Sequence, residues 1–120
     1  MSTRARKLGC QGAVLNGYVR DTKAILDMSF PTFGFGSYGQ DAAPRYKVVD
    51  FRIPVEIGAV RIRPGDIIFG DIDGVLLVPA EAETEVFARA LEKARGEKLV
   101  RKAIEEGSSA VEAFEKFGIM

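Results

Sequence analysis

The chain is 120 residues long, 47% hydrophobic and 28% charged, which suits one globular domain with a modest core and not two. Seventeen basic residues balance seventeen acidic ones, so there is no basic excess to serve nucleic acid and little net charge to hold copies of the chain apart. Histidine is absent and Cys10 is the sole cysteine, which excludes Ser-His and Cys-His nucleophile schemes, thiolate metal clusters and an intrachain disulfide.

Any chemistry therefore falls to carboxylates, Lys, Arg, Tyr, backbone dipoles or a cation held by oxygen, which favours Mg²⁺ or Mn²⁺ over zinc. The opening M-S-T-R-A-R-K is basic, but no apolar secretory core follows it. The longest apolar runs, such as Val75 to Val78, are far too short to cross a bilayer, so the expected setting is cytoplasmic, with no membrane partner.

The string G-A-V-L-N-G-Y-V-R-D, Gly12 to Asp21, reads as a short apolar strand, a turn through Asn16 and Gly17, and an Arg20–Asp21 pair where a helix begins. A fixed cation beside a carboxylate at a strand end lies where ligands tend to sit in open α/β sheets, and suits a small anion together with a hard metal ion. The alternative is a surface ion pair capping the helix. Residues 21–28 suit that two-turn helix.

Thr32 to Phe35 reads as a short strand, and the tract from Phe30 to Pro44, carrying Gly34, Gly36 and Gly39, continues as a glycine-rich loop of the kind that often serves function. Tyr38 and Gln40 within it are candidates for a pocket wall.

From Tyr46 the pattern turns β: Tyr46–Ile53 and Val55–Ile62 are two expected strands, with an edge or a kink between them at Pro54. Arg63 to Asp66 (R-P-G-D) is a turn, and Ile67–Gly70 and Val75–Val78 are strands around D-I-D-G. Asp66, Asp71 and Asp73 lie close together, but P-G-D and D-x-D-G are turn chemistry, and they are read as structural. Phe30, Phe33, Phe35 and Phe51 are read as core or subunit interface.

A major helix is expected from about 82 to 105, with an apolar stripe of Phe87, Leu91, Ala94, Leu99, Ala103 and Ile104, ion pairs Glu85/Arg89 and Glu97/Arg101, and a kink or break at Gly96. Gly107 suits its end, and Ser109 with Glu112 suits a capping box opening a last short helix.

Taken together, Gly12–Asp21, P-V-E-I-G-A-V-R-I-R-P-G-D (Pro54–Asp66), G-D-I-D-G-V-L-L-V-P (Gly70–Pro79), the helix bearing G-E-K-L-V-R-K and the ending E-A-F-E-K-F-G-I-M resemble the RraA-like family. That family holds the 4-hydroxy-4-methyl-2-oxoglutarate aldolase/oxaloacetate decarboxylase enzymes and the regulators of ribonuclease E. The resemblance runs unbroken over roughly residues 8–120. It implies an α/β fold of the swivelling type, packed sheets with flanking helices, in one domain spanning 1–120 that assembles as a homo-oligomer, a trimer or hexamer.

It implies a metal-dependent lyase that cleaves a C–C bond of a 2-oxo dicarboxylate to release pyruvate. Arg20 would be the catalytic and substrate-binding residue that stabilises the enolate, and Asp21 would help hold Mg²⁺ or Mn²⁺ through coordinated water. Glu97 is implied as a carboxylate offered to a neighbouring subunit's site, against its plainer reading as half of a surface pair. The partner expected is a small 2-oxo acid, and no nucleic acid.

Two departures from the family pattern stand out. Asn16 takes a place often held by aspartate. The sequence also starts just before the Gly12 strand, so the family's N-terminal glycine-rich loop, which completes the pyruvate and metal site, is expected to be missing. The rival expectations are a non-catalytic protein-binding regulator, or an inactive fragment or half of a split enzyme. Retention of both Arg20 and Asp21 favours the enzyme.

Overall fold

The structure, a computed structural model, describes residues 1–119. The fold is mixed α/β, built from small sheets and helices. The chain divides into two compact units, Met1–Pro79 and the remainder from Ala80 on.

In the first unit a short helix α1 (Ser2–Lys7) precedes strand β1 (Ala13–Val14), helix α2 (Thr22–Asp27) and strand β2 (Thr32–Phe33). Helix α1 was not foreseen from its basic sequence; its Arg6 donates to the Met28 carbonyl at the end of α2. Strands β1 and β2 are parallel, joined through α2, with Ala13 opposite Thr32 and Val14 opposite Phe33.

The named strands are only two residues long, yet the pairing runs far beyond them. Leu15 N donates to Phe33 O, Phe35 N to Gly17 O, Val19 N to Gly36 O and Tyr38 N to Val19 O, all at 2.8–2.9 Å. Residues 13–19 and 31–38 therefore lie side by side along their whole length. Gly34 permits this: a Cβ there would stand 2.8 Å from the Gly17 carbonyl oxygen, closer than side chains tolerate. Ile25 of α2 and Phe30 are buried, at 7% and 5% exposure.

The later β-structure is two antiparallel hairpins. Strands β3 (Val55–Ile57) and β4 (Val60–Ile62) pair Ile57 with Val60 across a Gly58–Ala59 turn, so the single strand expected over Val55–Ile62 is folded back on itself by a two-residue loop with glycine at its first position. Strands β5 (Ile67–Asp71) and β6 (Gly74–Val78) match expectation, with Phe69 opposite Leu76. In the turn before β5, Asp66 N donates to Arg63 O while Arg63 N donates to the Asp66 carboxylate. Asp71 accepts from Asp73 N. These aspartates shape turns, as read from the sequence.

The strand expected over Tyr46–Ile53 does not form. Tyr46, Val48, Val49 and Phe51 are exposed, Val49 at 85% and Phe51 at 73%. The β-branched pattern is there, but among the described residues no strand lies opposite it, and an extended segment without a ladder partner gains nothing from its propensity. Of the four phenylalanines read as core or interface, Phe30 is buried, whereas Phe35 and Phe51 are exposed.

In the second unit a single 3₁₀ turn (Ala80–Ala82) leads into α3 (Glu83–Glu105), 23 residues without a break. Gly96 costs a helix interior about 1 kcal/mol relative to alanine, which good helix formers on either side absorb. Ile119 lies against the space its missing side chain leaves.

Glu85 pairs with Arg89 at 2.8 Å as expected, but Glu97 pairs with Lys93 at 3.7 Å, not with Arg101. The predicted apolar stripe is largely unburied: Leu91, Leu99 and Ile104 are exposed, and Val100 is the buried residue of the helix. At its end Gly107 N donates to Ile104 O and Ser108 N to Ala103 O, a Schellman closure around a glycine with φ +104°. Helix α4 (Ala110–Phe117) opens with the predicted capping box: Glu112 N donates to Ser109 Oγ and Ser109 N to the Glu112 carboxylate. Among the described residues no helix is long and apolar enough to cross a membrane.

Candidate functional site

The extended parallel pairing decides where Arg20 lies. Val19 is bridged to Ser37, so the residue after it leaves the pairing beside Tyr38 and Gly39. Val19, Arg20, Asp21, Thr22, Ser37, Tyr38 and Gly39 together line an open depression of about 190 Å³. Thr22 Oγ1 and Ser37 Oγ lie 2.8 Å apart and tie the start of α2 to the opposite segment. The Tyr38 ring packs 5.7 Å from that of Tyr18, which in turn meets Phe35 edge-on at 6.0 Å. Tyr38 and the glycine-rich tract thus take the place expected of them; Gln40 is not part of the lining.

Asp21 occupies the N-cap position of α2, but in the left-handed region (φ 61°, ψ 30°). A capping side chain needs an extended N-cap backbone to turn its oxygen onto the first-turn amides. Asp21 accordingly makes no cap hydrogen bond, and its side chain is 72% exposed beside the depression. The capping part of the surface-pair alternative is thereby set aside, while the exposed Arg20–Asp21 pair it names is present. The contact between Arg20 Nε and Asp21 Oδ2 is loose, at 3.8 Å.

The firmer partner of Arg20 is Asp41, whose Oδ2 lies 3.1 Å from Nη1. Its other oxygen accepts from Ala43 N at 3.2 Å. The Ala43 amide first, and then the Arg20 guanidinium, hold the Asp41 carboxyl below its usual range. Sequence reading missed Asp41. Its only advance signal was its place in the glycine-rich tract, because the parallel pairing that carries it to Arg20 is long-range.

The structure thus brings Arg20 and Asp21 together with Ser37–Gly39. The Phe35 and Tyr38 amides are engaged in the pairing, whereas those of Ser37 and Gly39 are not used in it. Glu97 belongs to the second unit, where its half-exposed carboxylate contacts Lys93.

For a divalent cation the donor chemistry is selective. Among the described residues no group of three or more His, Cys, Asp or Glu side chains is assembled, so an all-protein cage of the calcium or zinc type does not fit. One exposed carboxylate at the rim of an open depression fits a hard ion of the Mg²⁺ type, which keeps most of its water and is held by one or two carboxylates plus substrate oxygens.

Comparison with known proteins bears on this arrangement. The profile of the RraA-like family, described as Aldolase/RraA, matches residues 1–77, which contain Arg20, Asp21 and the depression. A protein of Halalkalibacterium halodurans, provisionally named a 4-hydroxy-4-methyl-2-oxoglutarate aldolase, is 34% identical over 110 residues, covering 92% of this chain and 52% of that protein. Protein DlpA of Legionella pneumophila is 34% identical over 106 residues, covering 88% of this chain and 17% of its own.

The solved structure of an uncharacterized protein from Pseudomonas syringae pv. tomato superposes with a TM-score of 0.90 at 30% identity, over 94% of this chain and 56% of that one. The chain spans about half the length of the first of these relatives and of the solved structure. With the family profile covering well over half of its residues, this chain belongs to the RraA-like family.

Proposed function

We propose that the Arg20–Asp21 depression is the site of a divalent-metal-dependent carbon–carbon lyase acting on a 2-oxo dicarboxylate and releasing pyruvate, as aldolase or decarboxylase. The observation that carries the reading is that Asp21 begins a helix without capping it, leaving a carboxylate and a fixed guanidinium at one open depression. The provisional aldolase names among the relatives agree with it.

Retro-aldol cleavage and β-decarboxylation share one electronic demand: breaking the bond leaves an electron pair delocalised on a pyruvate enolate. Arg20, charged at every accessible pH, binds the carboxylate of the 2-oxo acid and stabilises the developing oxyanion with its planar fork of N–H donors. Asp21 is the residue that would hold Mg²⁺ or Mn²⁺ through coordinated water, where the cation's charge supplies further enolate stabilisation. Ser37 and Gly39 line the depression with amides the pairing does not use, and they are the candidate backbone donors for the remaining oxygen. Of the aromatic group of Tyr18, Phe35 and Tyr38, the Tyr38 side lines the depression.

The exposed apolar segment 46–53 and the exposed Phe69–Leu76 pair of the β5–β6 hairpin belong, on this reading, to surfaces covered when copies assemble as a homo-oligomer. In such an assembly Glu97 is the candidate carboxylate offered to a neighbouring site. The setting proposed is the cytoplasm.

The test is oxaloacetate decarboxylation measured against free metal ion. Arg20→Ala is expected to lose activity with metal saturating, and Asp21→Asn to lose metal-dependent activity. Retention of activity by both would overturn the reading. The ribonuclease-regulator alternative makes the opposite forecast: no turnover by the parent chain.

A further inference from the structure

We propose that Asp41 is an internal competitor for Arg20: in the resting chain its carboxylate occupies the guanidinium, and an incoming 2-oxo acid carboxylate takes its place. The proposal rests on the reading of Arg20 as the substrate-binding residue and names what that residue binds before substrate arrives.

The geometry is that of a contact held in place yet easily displaced. The two oxygens of Asp41 are divided between two donors, Oδ2 toward Arg20 Nη1 at 3.1 Å and Oδ1 toward Ala43 N at 3.2 Å. Asp41 therefore meets Arg20 through one nitrogen and not through the paired fork. A free carboxylate can present both oxygens to the fork, the stronger and more directional arrangement.

Both side chains are about half exposed, which keeps the existing pair weak. The loop nonetheless holds Asp41 at a fixed address, since Arg45 Nη1 donates to the Asp41 carbonyl at 3.1 Å. Asp21 does not do the same work: it stands at 3.8 Å from Nε and borders the depression itself. Asp41 acts on substrate only through Arg20, and is a positioning residue in that sense.

Asp41→Asn is the discriminating variant, because the amide oxygen can still accept from Ala43 N while the charge facing Arg20 is removed. The probe is oxalate, an unreactive planar mimic of the pyruvate enolate, titrated calorimetrically into the full chain at fixed Mg²⁺. The Arg20 Nε–Hε resonance is followed in parallel. Oxalate is expected to bind about two- to five-fold more tightly to Asp41→Asn than to the parent. The Arg20 signal is expected to move on substitution even without oxalate, and Asp41→Glu, which restores the charge, to return affinity toward that of the parent.

Unchanged or weaker oxalate binding in Asp41→Asn, with the parent still binding, would overturn the competitor role and leave the lyase reading standing. Tightening without any movement of the Arg20 signal would overturn it equally. Oxalate binding to neither protein would overturn the assignment of Arg20 itself, and the competitor role with it.

Discussion

Two stretches of this chain carry β-rich sequence and meet opposite fates. Residues 13–19 and 31–38 are joined by a backbone ladder that outruns their named strands, while residues 46–53, at least as rich in β-branched and aromatic side chains, remain unpaired and exposed. The difference is not propensity. The first pair is connected by α2, which returns the chain parallel to itself, and Gly34 lets the two backbones approach. The second stretch has no opposing strand among the described residues. A strand is a relation between two segments, and the Arg20–Asp21 depression exists because the first relation was closed.

The comparison is broken most severely at its chemical end. Arg20→Ala should lower metal-saturated decarboxylation by about 100-fold, the scale set by removing one preorganised donor from a developing oxyanion. Its thermal unfolding should hardly change, because the side chain is half exposed. A parallel loss of Tm would mean that the residue is structural.

Next comes the ladder itself. Gly34→Ala drives a Cβ against the Gly17 carbonyl and should cost about 1–3 kcal/mol in thermal or urea unfolding. Gly39→Ala, where a Cβ meets nothing within 4 Å, is the matched control and should be nearly silent. Equal effects at the two glycines would remove close approach as the explanation.

The unpaired stretch predicts the reverse pattern. Phe51→Asp should leave the stability of the chain within about 0.5 kcal/mol, since Phe51 is largely exposed. Light scattering should nonetheless show a smaller assembly than the parent. A parent that is monomeric at micromolar concentration would contradict the proposed coverage of this face.

The smallest effect sits in the second unit. Ser109→Ala should cost about 1 kcal/mol through the lost cap. Bonds from Ser109, its backbone amide first, hold the Glu112 carboxyl below its ordinary value of 4.5. A depressed folded-state pKa contributes stability that is present above the unfolded value and is lost as pH falls below it. The parent should therefore lose part of α4 stability in acid below about pH 4.5, and Glu112→Gln should flatten that dependence, read by circular dichroism.

What was legible in the sequence was local. The capping box at Ser109–Glu112, the Gly107 helix stop, the turns at Arg63–Asp66 and around Asp73, and the Arg20–Asp21 pair at a strand end all follow from neighbouring residues. What was not legible depended on partners. The failure of 46–53 to pair, the folding back of 55–62 and the exposure of the α3 stripe are decided by what lies opposite.

Glu97 illustrates the limit: two basic residues lie four positions away, and spacing alone did not say that Lys93 takes it. Within the site, Tyr38 was singled out by composition, whereas Asp41 reached Arg20 only through the long-range parallel pairing. The left-handed turn at Asp21 could not be read from residue types either, and it is what frees the carboxylate.

The most direct measurement is a calorimetric titration of Mg²⁺ into this chain with and without pyruvate. If Arg20 and Asp21 hold a 2-oxo acid and a hydrated cation in one depression, each ligand must tighten the other by the same factor, because linkage is reciprocal. Coupled binding that vanishes in Asp21→Asn is the predicted result. Independent binding of Mg²⁺ and pyruvate, or coupling that survives Asp21→Asn, would contradict it.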